Sequence, residues 1–426
     1  MKKRKMALML VASTFTMLFA GCGQANASGD TGVEGTEITE DVAQEEIPSG
    51  NVSLRVWGDG EDAELLAQMV ESFQAEYAGQ ATFDITIEAQ TESECKNVIL
   101  GDIENAADVF TFVDDQLMAL VAAGVLLPVE NTEAVKAANV EGSITASSVQ
   151  DTLYAYPMTA DNGYFMYYNS NYFSEADVQT LDGMLAVAAA NGKKVAMDWS
   201  SGWYLYSFFG QTGMNVGLNE DGITNYCDWN STSGAIKGVD VANAMLNISA
   251  NPGFANMTSE QIAAGIADGS VIATVSGVWD ANKIQAAWGN GYAATKLPTY
   301  TCAGQQVQMA SFTGYKMVGA NAYSEQPYWA MKLAEWITNE QNQTLRFRMR
   351  AQGPSNINAA NSAEVQASPA IQAILEQGSY ASLQRIGGKY WDPVTNFGNT
   401  MANGNPDGSA LQDLMDKMVE QITALN

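Results

Sequence analysis

The stretch "ATVSGVWDANKIQ" (273–285) contains the corner that decides the fold. Its β-branched residues, ending at Ser276 and Gly277, predict a strand, and the spacing that follows predicts a helix over 279–287. Trp279 therefore stands where a strand turns into a helix. In open α/β sheets, ligands lie beyond the carboxyl ends of the strands. The corner thus predicts that Trp279 contacts a ligand; the alternative is a core anchor for the start of the helix.

The same alternation of strand and helix extends outward from this corner. The predicted strands cover 53–57, 82–88, 107–113, 163–169, 193–199, 271–277, 292–297 and 311–320. The predicted helices cover 61–77, 92–100, 114–124, 174–190, 202–211, 234–249, 259–267, 279–287 and much of 326–353. The βαβαβ order of the first part predicts an α/β fold with a largely parallel sheet. About 375 residues exceed what one core holds, so two lobes are expected.

The N-terminal residues predict a secretory signal. Four basic residues precede an uncharged apolar run, which ends in small residues before Cys22. This end resembles the lipobox of bacterial lipoproteins, which implies cleavage after residue 21 and a lipid on Cys22; an ordinary signal peptide with a chance cysteine is the alternative. Residues 22–50 are acidic and poor in large apolar side chains, which predicts a disordered tether.

Charge and composition exclude several classes of function. Loss of the signal removes four positive charges and no negative ones, so the net charge falls from -28 to -32 and nucleic acid would be repelled. The chain has no histidine, which excludes Ser-His-Asp catalysis and imidazole zinc sites. We expect no metal and no cofactor. Hydrolysis by two carboxylates stays open, for example with Asp115 and Asp161.

Several segments together resemble the extracellular solute-binding proteins of carbohydrate ABC importers, in the branch of the maltodextrin-binding proteins. They include "RVWGDGEDAELLAQMVESFQAEY", "YAYPMTADNGYFMYYN", "SGVWDA", "SFTGYKMVGANAYS" and "AEWITNEQNQTLRF", and they span 55–356. The resemblance implies a two-lobed periplasmic-binding-protein-like fold, with interleaved lobes, a hinge and a central ligand cleft. The implied N-terminal lobe is 51–160 plus 311–356, and the C-terminal lobe is 161–310 plus 357–426.

The resemblance also implies a function. We expect a monomeric receptor on the extracellular face of the membrane, lipid-anchored, which passes an oligosaccharide to ABC permease subunits and catalyses no reaction. Maltose and maltooligosaccharides are the expected ligands. Two alternatives stay open: a secreted two-carboxylate glycoside hydrolase, and a receptor for another class of oligosaccharide.

The candidate ligand-binding residues follow strand ends or match positions of that family. They are Asp59, Glu61, Phe112, Asp115, Asp161, Trp203, Tyr204, Trp279 and Trp391. Indole rings can stack on the apolar faces of a pyranose while carboxylates accept hydrogen bonds from its hydroxyls. Trp391 belongs to a predicted loop, 387–398, whose Tyr390 and Phe397 could extend the platform. Tyr315 is expected to have a structural role at a crossover.

Alternative roles exist for the acidic candidates. Asp59, Glu61 and Asp115 could instead cap helices or neutralise their first turns, and Asp161 could be a turn residue in "ADNG". Two departures from the family affect the choice of sugar. Asp62 stands close to where the resemblance implies a sugar-contacting lysine, and Ser201 stands where it implies a glutamate.

Overall fold

The computed structural model describes residues 47–425, so the predicted signal segment, Cys22 and most of the predicted tether lie outside the described residues. Strands in the described part are β1 (Gly50–Gly58), β2 (Ala81–Ala89), β3 (Val109–Val113), β4 (Ser148–Val149), β5 (Thr152–Leu153), β6 (Tyr156–Thr159), β7 (Phe165–Asn169), β8 (Lys194–Met197), β9 (Val216–Leu218), β10 (Asn225–Cys227), β11 (Phe254–Asn256), β12 (Val271–Ser276), β13 (Tyr292–Thr295), β14 (Thr299–Cys302), β15 (Gln305–Gln308), β16 (Ser311–Thr313), β17 (Lys316–Ala320) and β18 (Ala381–Leu383).

The α-helices are α1 (Ala63–Glu76), α2 (Cys95–Gly101), α3 (Leu117–Ala122), α4 (Thr132–Ala138), α5 (Glu141–Ala146), α6 (Leu181–Ala190), α7 (Gly202–Phe209), α8 (Gly238–Ser249), α9 (Ser259–Ala267), α10 (Ala281–Trp288), α11 (Pro327–Ile337), α12 (Glu340–Arg350), α13 (Ile357–Ala360), α14 (Ala363–Gln366), α15 (Pro369–Gln377), α16 (Trp391–Ala402) and α17 (Leu411–Ile422). Within 47–425, none of them has both the length and the apolar character needed to cross a membrane.

The first sheet has the order β2-β1-β3-β17-β6. Its first three strands are parallel, as predicted, but β17 runs antiparallel to both β3 and β6, so the sheet is mixed. Helix α1 covers it with an apolar face of Leu65, Leu66, Met69, Val70 and Phe73, which the helical spacing predicted. Burying each such side chain contributes about 1.5–3 kcal/mol.

The second sheet has the order β11-β8-β12-β7-β13. Strands β11, β8 and β12 are parallel, whereas β7 is antiparallel to β12 and β13. The parallel strands β8 and β12 end side by side, and each is followed by a turn into a helix. Both turns therefore lie at one edge of the sheet, which is where the corner at Trp279 was predicted to meet a ligand.

The chain passes from the first sheet to the second at residues 160–164, between β6 and β7. A second passage between sheets, at 314–315, leads from the two-stranded sheet of β16 and β18 into β17 of the first sheet. Sequence analysis predicted one strand over 311–320. Instead β16 pairs with β18, and β17 joins the first sheet. The strand breaks at Tyr315, whose N–H donates to Asp114 Oδ1 at 3.0 Å rather than to a neighbouring strand. The limits given above for the two lobes remain predictions.

Two predicted segments fold differently. The long helix predicted within 326–353 is two helices, because Asn339 caps α12 by accepting a hydrogen bond from the Asn342 N–H at 2.8 Å. The predicted loop 387–398 is a short 3₁₀ turn followed by α16. Its Pro393 falls in the first turn of α16, where a proline costs no helical hydrogen bond.

Candidate ligand-binding cleft

A cavity of about 780 Å³ is lined by residues that follow strands of both sheets. From the side of the first sheet come Asp59, Asp115 and Lys316; from the side of the second come Trp203 and Trp279. The C-terminal segment adds a sixth side chain, Trp391. Because both halves of the fold contribute, a ligand in this cavity would contact both at once.

Three tryptophans form the aromatic side of the cleft. Trp203 lies in the first turn of α7, after β8, and Trp279 lies in the 3₁₀ turn after β12. The centroids of these two rings are 5.6 Å apart, with an angle of 34° between the planes. Trp391 is the first residue of α16 and packs edge-on against the buried Tyr390, at 5.0 Å between centroids. All three indoles are half-buried, so each keeps surface for a ligand.

Asp115 supplies a carboxylate to the same cavity. Its Oδ2 accepts a hydrogen bond from Gln384 Nε2 at 3.0 Å, whereas its Oδ1 is buried and has no partner among the described residues. Burial raises the pKa of this carboxyl from 3.8 to about 6. Burial, opposed by the hydrogen bond from the Tyr315 N–H, raises the pKa of the adjacent Asp114 to about 7. Asp115 thus lines the cleft with one carboxylate oxygen whose hydrogen-bonding capacity no described residue satisfies.

Asp59 and Glu61 have different roles. Asp59 Oδ1 accepts a hydrogen bond from the Glu61 N–H at 2.8 Å, so Asp59 caps a 3₁₀ turn and also lines the cleft. Glu61 does not line the cleft; it forms ion pairs with Lys283 and Arg350, each at 2.7 Å. These contacts with two cations lower the pKa of Glu61.

Phe112 does not line the cleft, contrary to the prediction. Strand alternation places Phe110 and Phe112 on the same face of β3, where Phe112 is fully buried in an apolar cluster with Leu126 and Met317. Val113, on the opposite face, lines the cleft instead. Phe112 is therefore a core residue.

Asp161 is also absent from the cleft lining. It is 2% exposed and lies at the crossover between β6 and β7. Its Oδ2 accepts a hydrogen bond from the Gly353 N–H, which ties two passages of the chain together. Burial raises the pKa of Asp161. Asp161 thus ties the crossover to Gly353 and, unlike Asp115, does not line the cleft.

Tyr204 faces another space. It is 8% exposed and lines a separate cavity of about 170 Å³, together with Ser276 and Asp280. The preceding residue Trp203 and the N-cap residue Ser201 line the main cleft instead. Successive residues of a helix point in different directions, so Trp203 and Tyr204 face different cavities. Tyr390 and Phe397, predicted as parts of an aromatic platform, are both buried in the core.

Comparison with known families decides the assignment. The model of the family described as bacterial extracellular solute-binding protein matches residues 68–373. This chain belongs to that family. The match confirms the resemblance to extracellular solute-binding proteins given above. Similarity to solved structures confirms the two-lobed fold.

This solute-binding protein is similar to individual proteins that bind oligosaccharides. The galactooligosaccharide-binding protein of Bacillus subtilis (strain 168) is 23% identical over 424 residues, covering 95% of this chain and 94% of the relative. A solved structure with acarbose is 28% identical, with a TM-score of 0.78, and covers 88% of this chain and 99% of the other. The maltodextrin-binding protein of L. casei BL23 is 23% identical, with a TM-score of 0.73, covering 88% and 100%.

Sequence analysis missed most polar side chains of the cleft, among them Glu92, Lys316 and Gln384. Glu92 and Lys316 form an ion pair at 3.4 Å although 224 residues separate them along the chain. Both side chains are largely buried, with exposures of 8% and 12%. The sequence around each residue does not distinguish it from an exposed charged residue, so the pair could not be predicted.

Proposed function

We propose that this solute-binding protein is a lipid-anchored receptor that captures an oligosaccharide in the cleft and delivers it to an ABC importer. The observation that carries the proposal is the composition of the cleft. Three half-buried indoles lie in one cavity with Asp115, whose Oδ1 has no partner. Indole faces match the apolar faces of pyranose rings, and a carboxylate accepts hydrogen bonds from their hydroxyls. No basic cluster or apolar tunnel competes with this interpretation among the residues that line the cavity.

The two-lobed fold supports a mechanism of closure. A sugar stacked on Trp203 and Trp279 and bonded to Asp115 would contact groups that follow strands of different sheets. Its binding therefore favours the arrangement in which those groups are close, which is the basis of hinge closure. We propose that the closed form is the one that the permease subunits recognise, and that the bound sugar is released unchanged.

Maltooligosaccharides are the preferred ligand class in this proposal. Support comes from the similarity to the structure with acarbose, since acarbose is built like an α-glucan. Galactooligosaccharides are the second candidate, because a relative that covers nearly the whole chain is a galactooligosaccharide-binding protein. Asp62 and Ser201 stand where the resemblance implies a sugar-contacting lysine and a glutamate. These two departures can change the choice of sugar, so both classes should be tested side by side.

Calorimetry against a panel of α-gluco-, galacto-, xylo- and fructo-oligosaccharides tests the ligand class. We expect a maltooligosaccharide to bind with a dissociation constant well below millimolar, with one site per chain. Chromatography after overnight incubation should return the sugars intact. Absence of binding across the panel would refute the receptor, and the appearance of shortened products would favour a hydrolase.

The anchor is tested separately. We expect the full chain, expressed in a bacterial host fed labelled palmitate, to acquire the label and to sediment with membranes. The variant Cys22→Ser should lose both properties and should keep its sugar affinity, because the residues that line the cleft all lie within 59–391. Label retained by Cys22→Ser would place the lipid elsewhere or refute lipidation.

A further inference from the structure

The cleft contains a buried ammonium group on an unexpected strand. Lys316 is the first residue of β17, directly after the second passage between the sheets. In the sheet it lies opposite Val113 on β3 and opposite Thr159 on β6. Val113 and Lys316 both line the cleft, so the first sheet presents this residue at the floor of the cavity.

Two neighbours of the ammonium group define its surroundings. The Nζ atom lies 3.4 Å from Glu92 Oε1 and 5.9 Å from the centroid of the Trp279 ring. An ammonium group has three N–H donors. Among the described residues, Glu92 is the hydrogen-bond acceptor found for it, so two donors are unused within the protein. A ligand hydroxyl stacked beside Trp279 is the group that could use them.

The ammonium stays charged despite its burial. Burial alone would lower the pKa of Lys316, but the carboxylates of Glu92, Asp161 and Asp62 outweigh it and raise the pKa above 10.5. The charge of the group is therefore constant over the pH range in which sugar binding would be measured. Glu92 also fixes its position, since the ion pair is largely shielded from water.

The position implied for a sugar-contacting lysine is occupied differently in this chain. Asp62 stands close to it, is 1% exposed and pairs with Arg346 and with Arg350, the latter at 2.8 Å. Asp62 and both arginines lie outside the cleft lining. The segment around Asp62 therefore supplies no lysine to the cavity, whereas β17 supplies Lys316.

We infer that Lys316 is a specificity-determining residue of the cleft, donating a hydrogen bond to one hydroxyl of the sugar unit that stacks on Trp279, with Glu92 as its positioning partner. This inference rests on the proposed sugar-binding function. It assigns to the ligand an acceptor hydroxyl next to an aromatic face, and it predicts discrimination against sugars that lack this hydroxyl.

A double comparison of protein and ligand tests the inference. Calorimetry would use maltotriose, or galactotriose if the wild type prefers it, and the set of its monodeoxy derivatives. For the wild type, one derivative should bind about tenfold or more weakly than the parent sugar, the scale of a lost charged hydrogen bond. For Lys316→Met the parent sugar should already bind about tenfold more weakly, and the same derivative should show no further loss.

Controls separate this role from a structural one. Lys316→Met leaves Glu92 buried without its partner, so a lower melting temperature is expected and does not count as support. Lys316→Arg should restore most of the affinity, and Glu92→Gln should retain the penalty for the same derivative. Lys332→Met, which removes a lysine paired with Glu335 on α11, should change neither affinity nor discrimination.

The outcomes are distinguishable. If the wild type binds neither trisaccharide nor any other sugar of the panel, the proposed function fails and takes this inference with it. If the wild type binds and Lys316→Met keeps the full penalty for every deoxy derivative, the inference alone is overturned. The inference is established if Lys316→Met binds one monodeoxy derivative as tightly as it binds the parent sugar, while Glu92→Gln still binds that derivative more weakly than the parent sugar.

Discussion

At the scale of single residues, the ring pair of Trp203 and Trp279 shows how the fold produces a binding surface. Each indole follows one of two adjacent parallel strands, so sheet geometry alone brings the rings to 5.6 Å between centroids. Trp203 Nε1 has no partner among the described residues. This N–H is buried, so the surface that the pair offers to a ligand is the apolar ring area.

Trp279→Ala should weaken sugar binding by about 1–3 kcal/mol, the scale of a lost aromatic contact with its buried area. The fold should persist, because Trp279 is only half-buried and faces the cleft. Calorimetry and a melting curve check the two statements. Trp288→Ala is the matched control on the neighbouring α10: its ring is 7% exposed, so it should lower the melting temperature without a comparable loss of affinity. A collapse of the fold in Trp279→Ala would support the core role instead.

Sugar affinity should depend on the protonation of Asp115. The carboxylate is the better acceptor for ligand hydroxyls, and the pKa of about 6 means that it is mostly ionised at pH 7 and mostly protonated at pH 5. Affinity in the wild type should therefore rise between pH 5 and pH 7. Titration calorimetry of Asp115→Asn should show a weaker and flatter profile over this range. An equally steep profile in the variant would assign the dependence to another group.

The same residue should affect stability with a defined sign. The pKa of Asp115 is raised from 3.8 in the unfolded chain to about 6 in the folded protein, so the folded state binds the proton more tightly. The free energy of unfolding should consequently fall as pH rises from about 4 to about 6, and the loss should be complete above about 6. Asp115→Asn should remove this decrease, which denaturant unfolding at several pH values would reveal. The charge of Asp115 also raises the pKa of the adjacent Asp114, so the difference between the two proteins reports Asp115 together with its effect on Asp114.

At the scale of secondary-structure elements, α16 holds Trp391 at the cleft by packing closely on α7. Gly398 makes this approach possible: a Cβ added there would overlap the carbonyl oxygen of Trp199 and the side chain of Leu205. The opposite end of the helix carries the indole into the cavity. The contact between two helices thus sets the position of a ligand-binding side chain.

Gly398→Ala should destabilise the protein by about 1–3 kcal/mol, the cost of overpacking a tight contact. The sign is informative, because the same substitution in an unrestricted helix stabilises by about 0.5–1 kcal/mol. Denaturant unfolding measures it. Asn396→Ala, at an exposed position of the same helix, is the control and should be close to neutral. Increased stability in Gly398→Ala would show that α16 can move away from α7 without penalty.

Elements with strong local signals could be predicted from the sequence. Helix α9 has the predicted bounds because Thr258 and Gln261 form a capping box at its start. The break within 311–320 could not be predicted, because it depends on the distant carboxylate of Asp114. The helix α16 was taken for a loop since its glycine and proline are disfavoured locally, and tertiary packing reverses that preference.

Site residues divide in the same way. Trp203, Trp279 and Asp115 follow strand ends, and a strand end has a known place in an α/β sheet, so these positions could be predicted to face the cleft. Phe112 was misplaced by a single step of strand alternation, which moves a side chain to the other face. Lys316 had no local signal, because its burial results from contacts with Glu92 and Trp279 that the sequence does not bring together.

At the scale of the whole molecule, an ion-pair cluster bridges the two halves beside the cleft. Glu61 follows β1 of the first sheet, and its partner Lys283 lies on α10, which follows β12 of the second. Arg350 at the end of α12 also binds Glu61, at 2.7 Å. These pairs hold in the described conformation, and rotation of one half away from the other would separate Glu61 from Lys283. The pair therefore favours the arrangement in which the cleft is lined from both sides.

Lys283→Met should shift the unliganded protein towards more open conformations, because it removes an attraction between the halves without touching the cleft lining. The effect should be small, about 0–1 kcal/mol, since both partners are about half exposed, at 54% and 48%. Small-angle scattering should detect it as a larger radius of gyration without ligand and an unchanged radius with saturating sugar. High salt should move the wild type towards the variant, because screening weakens exposed pairs.

Lys136→Met, which removes an i,i+3 pair on α4, is the matched control and should leave the radius of gyration unchanged. Identical scattering of Lys283→Met and the wild type at low salt would mean that packing alone, and not this ion pair, sets the angle between the halves.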